Sequence, residues 1–564
     1  MKTFRITFCM LLALALLPTM AEAPAGTASA PTPETMITAT PAPTGSGIVE
    51  ANVQDDGIVR VELDTLGRPE ALHLKVQGSY AVEDDAGFRF EDGAEITLLA
   101  REDRLWLVSG KTMIDMGESL TLTRHAAAGR SGLYIAESAV ENLYCGDLSV
   151  TAGGGALRAI LSIDIEEYLL GVVAYEMSDS FPLEALKAQA VAARTYVMQR
   201  KEAYPDREYH VLDTTSDQVF KGFDPSYTNV IAAVEATRGV VGTYQGVYAS
   251  CYYGASNGGQ VARAQDVWSM EGDYGYITMH DDPYDLENPS SLVASATVSR
   301  DLSDHGKLRT MLETEVKAEL GEGYDIARVE NVEPVDALIE GSRLYQGLRF
   351  DLTVLAPGEE SGGLFGWWKK TRPEEALSVT LSVFEQLKDG LAIGLNSSDC
   401  ELVSVVMEEK SFTVEMRRFG HGVGMSQRGA EWMAKEYGLD WITILNFYYP
   451  GMTLERIDWQ IPALTALEEM PTVSGYARPE PTPRPTPVPL PAPQAGEKVA
   501  SVKLEDESAF LNVRQGPSTG HMIVDRFAHG SEVLVCSEPD DNGWVRIRTA
   551  ELTGYVMGTY LGIG

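Results

Sequence analysis

Between residues 165 and 200 the apolar positions fall at helical spacing. Ile165, Tyr168, Leu169, Val172 and Val173 recur at i, i+3, i+4, i+7 and i+8, which predicts an amphipathic helix. Asp164 stands at its N-cap, and Glu167 would close a capping box. Ser178, Asp179, Ser180 and Pro182 interrupt the pattern, and Pro182 suits the first turn of a new helix. That helix carries Leu186, Ala190, Ala193 and Val197 as its buried stripe, with Lys187 and Arg194 beside it. Extending the first pattern puts Glu176 on or next to an apolar face. Burial there disfavours the ionised form and raises the pKa, and a carboxyl still protonated near neutral pH can donate to a leaving group. The competing reading has Glu176 capping the backbone amides near residues 178–180, and spacing alone favours the cap.

From residue 48 to about 152 the pattern changes to short runs with alternation or branched residues (IVRVEL, ALHLKV, EITLLA, RLWLVS), which predict strands. Residues 144–150 and 157–163 predict a hairpin across Gly153, Gly154 and Gly155, a turn and not a phosphate cradle. Downstream, residues 229–237 predict a helix closed by Gly239. Residues 240–244 and 247–253 predict strands around Gln245 and Gly246, with Cys251 as a buried strand residue. Residues 290–410 are loosely patterned, with a helix at 308–320 and strands at 348–355 and 377–384. The loop 356–373 holds the run LFGWWKK, whose indoles suit a sugar or a membrane; folding back on its own domain is the preferred reading. In residues 419–454, Gly420, Gly422 and Gly424 let backbone approach closely. Ser426 caps a helix through Ala430, Met433, Ala434 and Tyr437, Gly438 ends it, and Asp440 caps the next, at 441–447.

The ends read differently. Residues 1–23 have the form of a secretory leader: Lys2 and Arg5, an apolar run at 6–17, then Ala21-Glu22-Ala23. The run is short for a membrane span, and an uncleaved anchor is the alternative. Residues 24–46 form a Pro/Ala/Thr-rich tether, and residues 471–499 a proline-rich spacer. Residues 500–564 predict a small β domain. The 564 residues carry a net charge of −37, which excludes nucleic acid as a partner and passive adhesion to anionic lipids or wall polymers. A largely uncharged glycan backbone is compatible. Of five cysteines, Cys9 lies in the leader and Cys145, Cys251, Cys400 and Cys536 are scattered without a CxxC pair. That is no zinc pattern, so no metal and no cofactor is expected. Asp281 and Asp282 suit a cation or, preferably, a solvated turn before Pro283.

GVVAYEM followed by P-x-EALKAQAVAARTY resembles the signature of the stage II sporulation protein D (SpoIID) family, which includes the LytB-type amidase enhancers. GHGVGMSQRGA, ending in YYPG, continues the resemblance, as does the loop Ala255-Ser256-Asn257-Gly258-Gly259. Residues 511–518 (LNVRQGPS) and 543–547 (GWVRI) resemble a bacterial SH3-like domain. The resemblance implies an α+β fold: a SpoIID-like mixed domain at 47–470 with a β-rich N-terminal part, loose around 290–410, then a small all-β SH3-like barrel. It implies a peptidoglycan lytic transglycosylase with Glu176 as its acid, cleaving the β-1,4 bond from N-acetylmuramic acid to N-acetylglucosamine and leaving 1,6-anhydro ends. One carboxyl suffices, because no water needs activating on the opposite face. Lys187, Arg194, Ser256, Asn257, His421 and Gln427 become candidates for orienting the acid and binding sugar, with ordinary helix salt bridges as the alternative for Lys187 and Arg194. The implied partners are peptidoglycan glycan strands. In the alternative, a non-catalytic modifier stimulates a cell-wall amidase or other hydrolase. Either way the protein is expected to be secreted and wall-associated, in sporulation or wall remodelling.

Overall fold

The computed structural model describes residues 48–466 and 490–563, apart from 52–54, 84, 102, 269–272, 359–371, 397–398, 495, 505–509, 519–522, 541 and 551. The leader, the tether, the LFGWWKK run and most of the proline spacer lie outside the described residues. The chain forms two compact units, divided after Thr472, and the fold is α+β.

The first unit begins with two sheets. In the seven-stranded sheet the order is Val211–Leu212, Ile58–Glu62, Ala156–Asp164, Gly146–Gly153, Ser119–His125, Ser79–Val82 and Asp85–Phe90. The five-stranded sheet runs Gly132–Ile135, Ala71–Gln77, Glu95–Arg101, Arg104–Ser109 and Thr112–Asp115. Alternation buries Leu72, Leu74 and Val76 from one sheet and Leu157, Ala159, Leu161 and Ile163 from the other in a single core. The predicted hairpin joins Gly146–Gly153 to Ala156–Asp164, with Gly153 opposite Ala156. Its turn residues Gly154 and Gly155 have φ of 61° and 77°, the backbone a two-residue hairpin turn demands.

This hairpin delivers Asp164, whose carboxylate accepts the Glu166 N–H at 2.7 Å and starts α1 (Ile165–Glu176). The expected capping box does not close: Glu167 is taken by the guanidinium of Arg124. The second helix, α2 (Leu183–Ala203), is buried on every side from Ala185 to Met198 except at Lys187. Alanines at 185, 188, 190, 192 and 193 let neighbours pack closely around it. Arg194 is fully buried here and is neutralised by Glu166, at 2.6 and 3.1 Å.

Residues 293–417 build a module with a core of its own. One sheet orders Val293–Ser299, Ser411–Arg417 and Leu402–Met407; the other orders Asp325–Ala337, Tyr345–Leu355 and Glu374–Ser382. Helix Gly306–Leu320 adds Leu308, Leu312 and Val316 to that core. The strand expected at 377–384 stops at Ser382, where the chain winds into a π-turn at Val383–Leu387. Cys251 is buried as expected, but it lies between the short strands Val247–Tyr248 and Tyr253–Gly254, with its sulfur 3.5 Å from Met452 Sδ.

The second unit is all-β. Its order is Ile523–Ala528, Phe510–Arg514, Thr553–Met557, Trp544–Arg548, Glu532–Val535, Lys498–Val502 and Leu561–Ile563 around a small core that includes Val513, Val533 and Ile547. No pairing joins the two outer strands among the described residues, so the sheet is open where a closed barrel was expected.

Candidate active site

Glu176 is the last residue of α1. Five residues earlier, Gly171 lets another segment cross the helix: a Cβ there would lie 2.6 Å from Phe220 and 2.8 Å from the Gly222 carbonyl. Lys221 N–H donates to the Gly171 carbonyl at 3.1 Å. That crossing brings the Val219 amide to the Glu176 carboxylate as a donor. From the far side, Ser426 Oγ accepts the Gly429 N–H at 3.0 Å and caps the helix Gln427–Lys435. The first residue of this helix, Gln427, places Nε2 at 3.4 Å from Glu176 Oε2.

Burial pushes the Glu176 pKa up to about 7, against the pull of the Val219 N–H and the Gln427 amide toward the ionised form. The carboxyl is hemmed in by protein, yet part of the residue still reaches solvent. It does not cap the turn at residues 178–180, where Ser178 Oγ accepts the Ser180 N–H at 3.4 Å and Asp179 accepts the Val230 N–H at 2.8 Å.

The two glycine loops meet beside this acid. Strand Tyr253–Gly254 pairs in parallel with Met425–Ser426. Gly424, at φ 71°, has the Tyr252 carbonyl oxygen 2.0 Å from where a Cβ would stand. Gly424→Ala is therefore expected to force the strands apart, lowering stability by about 2 kcal/mol. Thermal unfolding of the variant checks this.

The expected sugar contacts divide. Gln427 lies against Glu176, as above. Arg194 cannot hold sugar, because it is sealed in the core: Nη1 donates to the Val240 carbonyl at 3.1 Å and Glu166 takes the rest of the fork. Ser256 and Asn257 are also withdrawn. Ser256 Oγ donates to Asp285 at 2.9 Å and Asn257 Nδ2 to Asp282 at 2.7 Å, all four residues being buried. Burial and the neighbouring Asp285 push Asp282 up, and the Tyr448 hydroxyl holds it at 2.7 Å. Asp282 thus caps the helix Pro283–Glu287 from inside the protein, whereas Asp281 pairs with Arg343 at 2.7 Å. Lys187 is tied to Glu184 at 2.6 Å, and Glu184 also accepts the Trp441 N–H at 3.1 Å.

His421 serves the loop. Its Nδ1 accepts the Val423 N–H at 3.0 Å, and the ring also bonds the Tyr253 backbone. Burial and the Arg418 charge hold it down to about 4, so it is neutral at pH 7. Its ring packs edge-on to Trp268, with centroids 4.8 Å apart.

Arg418 was not marked in the sequence. It is buried with φ +84°. Nε donates to the Asn257 carbonyl at 3.0 Å and Nη2 to the Gln260 carbonyl at 2.8 Å, which locks one glycine loop onto the other. The signal was an arginine directly before Phe419-Gly420, where a charge on a closely packed turn needs a partner. Val219, whose N–H meets the acid, was not marked either, and nothing in its spacing sets it apart from core residues. Among the described residues no three His, Cys, Asp or Glu side chains gather as a metal set.

Residues 153–244, which run from the hairpin turn through Glu176, match the family model "Stage II sporulation protein" (SpoIID). The chain carries a SpoIID domain. Residues 509–562 match the model of the bacterial SH3 domain. Over 305 residues the chain is 32% identical to a protein named Amidase enhancer from Bacillus subtilis (strain 168), covering 51% of this chain and 40% of that protein. It is 26% identical over 338 residues to Stage II sporulation protein D of the same organism, covering 57% of this chain and 83% of the relative. The chain thus spans well under half of the amidase enhancer. The SpoIID match holds the acid and both central helices, while Gln427 and the second glycine loop lie beyond it.

Proposed function

We propose that the SpoIID domain is a peptidoglycan lytic transglycosylase with Glu176 as its acid and base. One observation carries the reading: a carboxyl kept protonated near neutrality by burial meets the amide of Gln427 from a motif 251 residues away. Glu176 gives its proton to the glycosidic oxygen as the bond from the muramyl anomeric carbon breaks. The muramyl 6-hydroxyl then attacks that carbon and returns its proton to the Glu176 carboxylate. The products are a free 4-hydroxyl and a 1,6-anhydro ring, with no water consumed. Among the described residues no second carboxylate touches Glu176, in keeping with chemistry that needs one. Mass spectrometry of glycan strands digested with the full chain should find 1,6-anhydromuramyl ends; intact strands would refute the reading.

A second reading has specific support. One relative is named Amidase enhancer, and Arg194, Ser256 and Asn257 are committed to internal bonds. In it the domain binds glycan and stimulates a wall amidase. Stimulation that survives Glu176→Gln would favour it.

The SH3 unit is read as a small β domain that holds the secreted chain to wall peptide. It has its own core, separate from that of the first unit. Deleting residues 478–564 is expected to lower binding to intact walls about tenfold by removing one of two attachments. Cleavage of soluble glycan should persist. Pull-down on purified walls and a soluble-strand assay check both halves.

A further inference from the structure

Two contacts tie the module at 293–417 to the loops beside Glu176. The first is the tip of the hairpin that joins Asp325–Ala337 to Tyr345–Leu355. Arg343 Nη2 donates to the Gly259 carbonyl at 2.5 Å and to Asp281 at 2.7 Å, and the Arg343 N–H donates to Gln260 Oε1 at 2.9 Å. Gln260 Nε2 returns a bond to the Gly341 carbonyl at 3.2 Å. Side chain and backbone interlock, which fixes the tip on the first glycine loop. Gly258 and Gly259 there have φ of 71° and 94°, a backbone with wide conformational freedom that needs bonds from outside to define its path.

The second contact is Asn396. Its carboxamide donates to the Arg418 carbonyl at 2.9 Å and accepts the Gly420 N–H at 3.0 Å, as a neighbouring strand would. Phe419, between them, exchanges both backbone bonds with Ser256, at 3.0 and 3.1 Å. The run Arg418 to Gly420 is therefore held between the module and the first glycine loop. It needs that hold, because Arg418 has φ +84°, a conformation that a residue with a side chain keeps only when its surroundings impose it. Asn396 is itself anchored: buried Glu401 accepts the N–H groups of Leu395, Asn396 and Cys400, and Lys388 neutralises it at 2.9 Å.

Both loops bear on Gln427. The Arg428 N–H donates to the Ala255 carbonyl at 3.1 Å, and Tyr253–Gly254 pairs with Met425–Ser426. A shift of either loop moves the first turn of the helix that meets Glu176.

We propose that the module is a frame for the site: through Asn396 and Arg343 it sets the two glycine loops, and with them Gln427, against Glu176. Both are positioning residues, since the donors that meet the acid are Val219 and Gln427. The kinetic consequence rests on the reading of Glu176 as the acid; the placement of Gln427 does not. Asn396 carries more of the effect. Gly259 is also held by the Asp282 N–H at 2.9 Å and by Asp285 at 3.2 Å, so the first loop stays partly fixed without Arg343.

The test is Asn396→Ala and Arg343→Ala in the full chain. The first readout is the NMR signal of the Gln427 side-chain amide, assigned by its loss in Gln427→Leu. It should move in both variants, and further in Asn396→Ala. The second is kcat on glycan strands, expected to fall about tenfold in Asn396→Ala and about threefold in Arg343→Ala, because a small misplacement far from the chemistry is felt at the reacting atoms. Ser378→Ala, which removes a hydroxyl bonded to Asp351 at 2.7 Å inside the module, should change neither. The Arg343 side chain is 38% exposed, so its variant keeps the wild-type urea midpoint and tests the frame even if Asn396→Ala unfolds. A Gln427 signal left in its wild-type place by Arg343→Ala overturns the proposal. If the signal moves while the wild-type chain cleaves no glycan, the frame stands and the transglycosylase reading is what fails.

Discussion

Glu176→Gln is expected to lower cleavage of glycan strands about 10³-fold while making the protein more stable above pH 7. A loss of function paired with a gain of stability separates a tuned acid from a structural one. The Glu176 pKa rises from 4.5 to about 7 on folding because of burial. The protonated form therefore supports the fold fully below about pH 4.5, and that support is lost as pH rises through about 7. Glutamine is neutral throughout and suffers no such loss. At pH 8 the variant should exceed wild type by about 1–3 kcal/mol, the upper figure being the full shift and the lower allowing for contact with solvent. At pH 4 the two should match. Asp282 is also raised by burial and its neighbour Asp285, so both proteins should lose stability together as pH rises, and only the difference reports Glu176. Urea unfolding at pH 4 and pH 8 measures it. Equal stability at both would mean that Glu176 is ordinarily ionised, which removes the physical basis for its role as acid.

Arg194→Met is expected to unfold the domain or cost about 3–5 kcal/mol, through the ion pair it breaks. Burial would push Glu166 up, but the Arg194 charge and hydrogen bonds outweigh it and keep the carboxyl ionised. The remaining donors are the Gly239 N–H at 2.9 Å and Trp459 Nε1 at 2.8 Å. Without the guanidinium a carboxylate stays in the core with two neutral donors. The double variant Arg194→Met with Glu166→Gln should recover much of the loss, since the charge and its partner leave together. Were Arg194 a sugar ligand, the single variant would raise KM and leave the unfolding midpoint in place. Urea midpoints and a KM measurement distinguish the two.

The same pair shows what the sequence could and could not say. Helical spacing located α1, α2 and the face bearing Glu176, because a buried stripe leaves a periodic trace. The Gly153–Gly155 turn, the Ser426 cap and the Asp440 cap were legible for the same reason, each being a local geometry with its own residue preference. Long-range bonds leave no such trace. Glu167 looked like half of a capping box because the box is a local pattern, and Arg124, its actual partner, arrives from another strand. Arg194 and Glu166 are 28 residues apart, so nothing local marks them as a pair. Ser256 and Asn257 looked like ligands for sugar because small polar residues beside glycines suit both a cleft wall and an internal network. Asp282 and Asp285, which claim them, sit 25 and 29 residues further along. Gln427 reaches Glu176 from 251 residues away, and only the matched motifs pointed to it.

That reach has a consequence in time. Glu176 is synthesised 251 residues before Gln427, and the module at 293–417 with its separate core lies between them. A chain growing from its N-terminus has completed both central helices and the whole module before the residues that finish the site exist. Contacts of such long sequence separation form late, since the intervening chain must be ordered first. The contact between Gln427 and Glu176 therefore forms only after both helices and the intervening module have been synthesised. A truncation ending before Phe419 would lack Gln427 and also the strand Thr453–Arg456 and Trp459, which complete the first unit's core.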